Sequence, residues 1–384
     1  MIYLDNAATS WPKPEAVYQA MDSFMRHIGA SPGRSAHRLS IKAGRIVYET
    51  REALAQLFGT DDPKRIIFTA NATEALNLAL RGILHPGDHV VTSSMEHNSV
   101  MRPLRTMERK GVEITVVNCS PEGFLNPQDI ERAIKPNTKL ITLNHASNVV
   151  GTILPVAEVG QIARRHDVFF MVDAAQTVGC YPIDIEAMNI DLLAFSGHKG
   201  LYGPQGVGGL YLRRGMEQRV EPLTYGGTGS HSEYEYQPDF LPDKYESGTP
   251  NTVGLAGLGA GVRFVLSQGV SRMQKKEETL TQLLLQGLKA IPSVTVYGGS
   301  DTRRQVAIVS FNISGLTPSE LVMQLEEGCQ IMCRAGLHCS PAAHKTMGTF
   351  PQGTVRLSPG HFTSTEDIEI TIEAVQKIAA GKGR

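Results

Sequence analysis

Short apolar runs punctuate the first two thirds of the chain. Ile66-Ile67-Phe68-Thr69 is one, and His89-Val90-Val91-Thr92 follows it after the turn Pro86-Gly87-Asp88. Further runs lie at 113–117, 139–143, 168–172, 191–195 and 207–212. These runs are apolar throughout rather than alternating, the pattern of strands buried on both faces. Between them, segments such as 74–80 and 155–166 place apolar residues at helical spacing. Strands alternating with helices predict an α/β architecture around a mainly parallel sheet. Beyond about residue 255 the texture changes. A helical stretch is expected over 253–291, then strands over 305–313 and 353–358 interspersed with helices over 318–327 and 365–380. That predicts a smaller α+β domain, with 15–255 forming the large domain and 1–14 joining 256–384 in the small one.

The 384 residues exceed one compact core and suit this two-domain reading. A net charge of −1, from 37 basic and 38 acidic side chains, gives no electrostatic footprint for nucleic acid or an anionic membrane. No apolar run approaches the roughly 20 residues that span a bilayer, and the first residues lack a basic region followed by an apolar one. A cytoplasmic protein with no membrane or nucleic-acid partner is therefore expected. Five cysteines, at 119, 180, 329, 333 and 339, are too few and too irregular for a disulfide framework, and no metal-ligand spacing appears. No metal site is expected.

Candidate chemistry concentrates at strand ends, where open α/β sheets bind ligands. The run 191–195 leads into Ser196-Gly197-His198-Lys199 and a glycine-rich turn. A lysine there can form a Schiff base, although a strand-end lysine by itself is usually a solvated charge. Another buried strand ends in Asp173-Ala174-Ala175-Gln176. A carboxylate so placed suits a protonated pyridine nitrogen, or else caps a following helix. Asn71-Ala72-Thr73-Glu74 is close to a capping box, and the free amides of that helix start with the Thr73 hydroxyl can take a phosphate. His97, after the strand at 89–92, is positioned to stack on an aromatic cofactor or simply to be hydrogen-bonded.

Taken in order, these motifs resemble the class V aminotransferase-like enzymes that use pyridoxal 5'-phosphate, and among them the cysteine desulfurases. The resemblance runs from Tyr3-Leu4-Asp5-Asn6 through Glu96-His97-Asn98, His145–Asn148, Asp173–Gln176, Ser196–Lys199 and Glu246–Asn251. It continues through Cys333-Arg334 and His338-Cys339 to Val355-Arg356-Leu357-Ser358. The segment from Arg334 to Cys339 and the 17-residue step from Cys339 to Arg356 are similar to the short-loop, Suf-type members; the wording after Arg356 is closer to the long-loop type.

The resemblance implies a fold type I transferase with a seven-stranded sheet. It implies that Lys199 binds the cofactor and moves the substrate Cα proton, that Asp173 pairs with the ring nitrogen, and that Gln176 bonds the phenolic oxygen. His97 stacks on the ring. Ala72 (backbone), Thr73, Ser196 and His198 hold the phosphate. Thr249 reaches the phosphate of the other subunit, so a homodimer with shared sites is implied. Asn148 lies near the cofactor oxygen and the substrate, Arg356 clamps the substrate carboxylate, and Arg334 supports the loop or the site mouth. Cys339 takes the sulfur of L-cysteine as a persulfide, releases L-alanine, and passes the sulfur to an acceptor protein or scaffold. Arg334, Arg356 and His338 are expected to favour its thiolate. Iron–sulfur cluster assembly is one destination for the sulfur; thiolated tRNA and sulfur-containing cofactors are others. The alternative reading is a selenocysteine lyase or related C–S lyase. An aminotransferase of small amino acids is disfavoured by Cys339, and a sulfur-carrier module by the presence of Lys199, Asp173 and Arg356.

Overall fold

The computed structural model describes residues 1–33 and 35–381. Its centre is a seven-stranded sheet in the order Ile66–Thr69, Gly208–Leu212, Leu192–Ser196, Phe169–Asp173, Thr138–Asn144, His89–Ser93, Glu113–Val117. All neighbours pair in parallel except Gly208–Leu212, which is antiparallel to both of its partners. Every one of the seven apolar runs read from the sequence is a strand here. Helices pack on both faces, which is why the strands are apolar without alternation: His89–Ser93, Leu192–Ser196 and Gly208–Leu212 are buried at every position.

One face of the sheet contributes Val91, Ile141, Leu143, Phe170, Val172, Leu193 and Phe195 to a large core. The other contributes Ile67, Val90, Leu140, Met171, Leu192 and Leu210 to a second core, under the helix Ala72–Ile83. Close packing extends to the backbone. Gly160, in the helix Val156–Arg165, has no room for a side chain: a Cβ there would lie 1.9 Å from the carbonyl oxygen of Met188.

The expected helix over 253–291 is two helices, Thr252–Gln268 and Val270–Lys289, which meet at 80°. Gly269 makes the joint, with φ +79°. Apolar spacing continues across the break, so periodicity alone joined them. The first helix sends Leu255, Leu258 and Val262 into the core of the large sheet. A boundary at 255 therefore cuts through a helix that packs with the large domain. The second helix sends Leu280, Leu284 and Leu288 into a separate core with Phe311, Val355 and Val375. Among the described residues no single helix is long and apolar enough to cross a membrane.

That separate core lies under a four-stranded antiparallel sheet ordered Arg334–Gly336, Thr354–Leu357, Val309–Ile313, Val294–Tyr297. The chain start belongs to it. Ile2–Tyr3 pairs in parallel with Ile331–Met332, and Ile2 and Leu4 are buried in the same core. The next residues then leave for the large domain. Thr9 Oγ1, Ser10 N and Lys13 Nζ all donate to the His198 carbonyl oxygen, and Ser10 Oγ donates to that of Lys199. The N-terminal segment thus clamps the main chain at the lysine that the sequence singles out.

Gly160→Ala is expected to destabilise the protein by about 1–3 kcal/mol, because the helix must move off Met188 to admit a methyl group. Urea unfolding followed by circular dichroism checks this; an unchanged midpoint would mean that the helix gives way freely.

Candidate functional site

At the carboxyl ends of the parallel strands lies a cavity of about 240 Å³. It is lined by Ala72, Thr73, His97, Asn148, Asp173, Gln176, Ser196, His198, Lys199, Arg334, Cys339 and Arg356, so twelve of the thirteen residues predicted for the site share one space. The exception is Thr249. It lines a different cavity of about 510 Å³, beside Arg51 and Phe68.

Asp173, Ser196, Ala72, Thr73 and His97 sit at strand or helix ends, Arg356 is within a strand, and Asn148 and Cys339 lie in turns between elements. Asp173 is the last residue of its strand and is 6% exposed. No helix follows it; its Oδ1 accepts from the Ala175 N–H at 3.0 Å within a turn. Burial pushes its carboxyl pKa up, opposed by that N–H and by Lys199. Lys199 follows the next strand. Burial pushes its amine down to about 8, against the pull of Asp173 and with help from Arg356 and Arg334. At neutral pH about a tenth of such an amine is unprotonated and nucleophilic.

Asn71 caps the helix Ala72–Ile83, its Oδ1 accepting from Glu74 N at 3.0 Å. Thr73 Oγ1 lies 2.8 Å from Ser99 Oγ, and that hydroxyl lies 2.8 Å from His97 Nδ1. His97 itself caps the helix Asn98–Glu108, its Nδ1 accepting from Ser99 N at 3.0 Å. The acceptor role fixes the tautomer, with the proton on Nε2. Burial, then Lys199 and Arg334, push its pKa down to about 4, so the ring is neutral. Beneath it Glu96 is fully buried; it accepts from Ser93 Oγ at 2.6 Å and from Asn144 N at 3.0 Å, tying two strand ends together.

Arg356 is the largest fully buried side chain, 1% exposed. Its Nη1 donates to Asn148 O at 2.9 Å and its Nη2 to Asp5 Oδ1 at 2.8 Å, while its buried Nε has no partner among the described residues. Arg334 stands directly opposite Arg356 in the antiparallel pair. Two facing guanidinium groups at a cavity wall repel one another unless an anion joins them. A carboxylate bound by the free Nε edge meets that need.

Cys339 and His338 both have left-handed backbones, at φ +59° and +49°. Asn148 holds this loop from both sides: its Nδ2 donates to His338 O at 2.7 Å and its Oδ1 accepts from Ser340 Oγ at 2.7 Å. The Cys339 carbonyl accepts from Asn98 N at 2.9 Å. The Asn148 amide is thus occupied by the loop instead of pointing free at a ligand. His338 donates Nε2–H to Thr354 O at 3.1 Å, and burial with the nearby Arg356 pushes its pKa down to about 2. It is neutral and supplies no positive charge to the neighbouring thiol, contrary to the expectation from sequence. Arg334 and Arg356 remain as the cations there.

All five cysteines are free, and Cys339 alone is exposed. Burial pushes Cys119 up to about 11 and Cys333 up to about 12, which makes both inert. Besides the inner cavity, Cys339 lines an outer groove of about 490 Å³ with Asn77, Arg81, Arg102 and Lys110. The sequence reading gave no role to Asp5, Glu96 or Ser99. Each works through a long-range or helix-cap contact that leaves no local signature.

Asn148→Ala removes both side-chain bonds to the Cys339 loop. Faster amide hydrogen exchange at 338–340 is expected, with a stability loss of about 1–3 kcal/mol. Unchanged exchange there would mean that the loop is held by its own backbone.

Comparison with known proteins matches residues 2–370 to the family model "Aminotransferase class-V". A "Probable cysteine desulfurase" of Methanothermobacter thermautotrophicus is 35% identical over 98% of this chain and 94% of its own length. "Cysteine desulfurase IscS" of Dictyoglomus turgidum is 30% identical, again over 98% and 94%. Among solved structures, the apo cysteine desulfurase of Thermococcus onnurineus superposes with a TM-score of 0.93 at 35% identity, covering 99% of this chain and 95% of that one. That likeness bears out the expected fold. The chain belongs to the cysteine desulfurase family, within the class V aminotransferases.

Proposed function

We propose that the protein is a cysteine desulfurase that uses pyridoxal 5'-phosphate, converting L-cysteine to L-alanine and leaving the sulfur as a persulfide on Cys339. The observation that carries this reading is that Lys199, Arg356 and Cys339 line one cavity. They supply an amine, a carboxylate clamp and a thiol.

The residues fit the cofactor. The helix start at Ala72, the hydroxyls of Thr73 and Ser196, and the unpartnered buried Nδ1 of His198 form a cradle for a phosphate. Asp173 offers a buried carboxyl to a ring nitrogen, and Gln176 borders the same space. His97 is neutral, so its face suits a stacked ring. When bound, the cofactor supplies an electron sink for the carbon that loses its proton.

The protein's own groups perform the rest. Lys199, unprotonated, takes the Cα proton of the substrate on Nζ. Arg356 orients the substrate carboxylate, with Asp5 and Asn148 O holding two of its donors so that Nε stays free. Cys339 as thiolate attacks the substrate sulfur; the S–S bond forms as the C–S bond breaks, and the carbon leaves with the electron pair. The position of Cys339 on both the inner cavity and the outer groove supports onward transfer to an acceptor protein. Thr249 lies away from its own chain's cavity, which supports its serving the site of a second copy in a homodimer.

Purified protein loaded with pyridoxal phosphate, given L-cysteine and a reducing thiol, is expected to release alanine and sulfide in equal amounts. Lys199→Ala and Cys339→Ala should both be inactive. Sulfide release surviving in Cys339→Ala would instead support direct C–S elimination.

The lowered pKa of Lys199 gives a pH prediction. Only the neutral amine attaches the cofactor aldehyde, so attachment to cofactor-free protein should speed up about tenfold per pH unit below 8 and level off above it. The new absorbance band reports the rate; a rise that continues toward pH 10 would mean an unperturbed lysine.

A further inference from the structure

Cys339 borders the outer groove of about 490 Å³ that runs between the helices Ala72–Ile83 and Asn98–Glu108. The two helices start side by side, with Thr73 Oγ1 2.8 Å from Ser99 Oγ, and they bury Leu76, Leu80, Val100 and Leu104 in one core. Asn77 and Arg81 of the first helix form one wall of the groove, Arg102 and Thr106 of the second form the other, and Lys110 stands just past the second helix. Cys339 is at the starting end, where its carbonyl oxygen accepts from the N–H of Asn98, the first residue of the second helix.

The charge of this groove is one-sided. Arg81, Arg102 and Lys110 are all exposed, and among the described residues that line the groove there is no acid. None of the three has an ion-pair partner among the described residues, whereas Arg105, on the same helix but outside the groove, is paired with Glu108 at 2.7 Å. The chain as a whole carries 37 basic and 38 acidic side chains, so an unpaired basic strip is not a consequence of composition. Like charges lining a groove repel one another and concentrate anions from solution. Nothing on the substrate side of Cys339 uses these three residues.

The helices also set a spacing. At about 1.5 Å of rise per residue, Arg102 lies about 6 Å along the groove from Asn98, and Arg81 about 12 Å along from Thr73. Lys110 lies farther still. An extended chain advances about 3.3 Å per residue, so a segment with its cysteine at Cys339 brings roughly its second neighbour to Arg102 and its fourth to Arg81. Cations drawn out along two helices suit an extended chain better than a compact anion.

We propose that this groove seats an extended segment of the sulfur-acceptor protein in which carboxylates stand about two and four residues from the accepting cysteine. The inference rests on Cys339 carrying the persulfide of the proposed reaction, and it names the chemistry of the acceptor. The acceptor thiolate attacks the outer sulfur of that persulfide. An S–S bond to the acceptor forms as the bond to the Cys339 sulfur breaks, and Cys339 leaves as a thiolate with the electron pair. No oxidant or reductant is consumed. Carboxylates beside a thiol oppose its ionisation, and the groove cations offset that effect when the segment is seated.

The test uses the full-length, cofactor-loaded protein and needs no turnover. Synthetic peptides, capped at both ends, carry one cysteine activated as a mixed disulfide with thionitrobenzoate. Attack by Cys339 forms a disulfide with the peptide and releases coloured thionitrobenzoate, so absorbance reads the rate; Cys339→Ala supplies the blank. Cys-Ser-Glu-Ser-Glu is expected to react about tenfold faster than Cys-Ser-Ser-Ser-Ser, and Cys-Ser-Lys-Ser-Lys more slowly than both, with the differences gone in about 1 M salt. Moving the two glutamates to about eight and ten residues from the cysteine, past the end of the groove, should lose most of the gain. In the double variant Arg81→Glu with Arg102→Glu the order should reverse, and Arg81→Lys with Arg102→Lys should keep it. Each ratio is taken within one protein, so changes of fold or thiol reactivity cancel. Equal rates for the three peptides in the wild type would overturn the inference. So would an equal gain at either spacing, the mark of attraction from a distance. Activated mercaptosuccinate reacting as fast as the glutamate peptide would also overturn it, since that marks a site for small anions. Alanine release from L-cysteine tests the desulfurase reading separately; its absence would overturn that reading while the peptide rates stand.

Discussion

A buried guanidinium ties the small sheet of this protein to the residues that follow the large one. Arg356 belongs to the small sheet, yet its donors reach Asp5 from the N-terminal segment and the carbonyl of Asn148 from the large domain. A charge so buried is tolerable only with such partners. Each partner in turn is tied to the chemistry. Asp5 begins the segment whose Thr9, Ser10 and Lys13 clamp the lysine's main chain. Asn148 staples the loop that carries Cys339. The amine and the thiol are therefore fixed relative to one another through a residue that sits between them.

Burial sets the charge state of the site more than any single contact does. It makes His97, His198 and His338 neutral and brings Lys199 toward neutrality, while the guanidinium groups of Arg334 and Arg356 line the same cavity. The cavity is thus positively charged where an anion is wanted and uncharged where a flat ring is to lie. Asp173 balances this at the strand ends, where burial pushes its carboxyl pKa up.

The strands and the motif residues were legible in the sequence for a common physical reason. Strands buried on both faces leave apolar runs that need no tertiary information, and strand-end residues fall just after those runs. The break at Gly269 was not legible, because apolar spacing persists through it and a left-handed glycine carries no periodic signal. The same holds for the domain seam: Leu255, Leu258 and Val262 look like any helical stripe, and only the fold says which core they enter. Asp5, Glu96 and Ser99 act on residues far away in the chain or through helix caps. The commitment of the Asn148 amide to the Cys339 loop could not be read from residue type. The neutrality of His338 is likewise a matter of depth, since histidine beside a cysteine suggests a cation until burial is known.

Cys339 borders two spaces, the inner cavity and the outer groove. On the proposed reading this has a kinetic meaning. An enzyme that loads and unloads a covalent carrier through a single doorway suffers when either reactant is abundant, because each blocks the other. Here the same residue lines two spaces, one lined also by Lys199 and Arg356 and the other by Arg81, Arg102 and Lys110. The geometry does not oblige cysteine and the acceptor to compete, so a cell rich in one need not starve the reaction of the other.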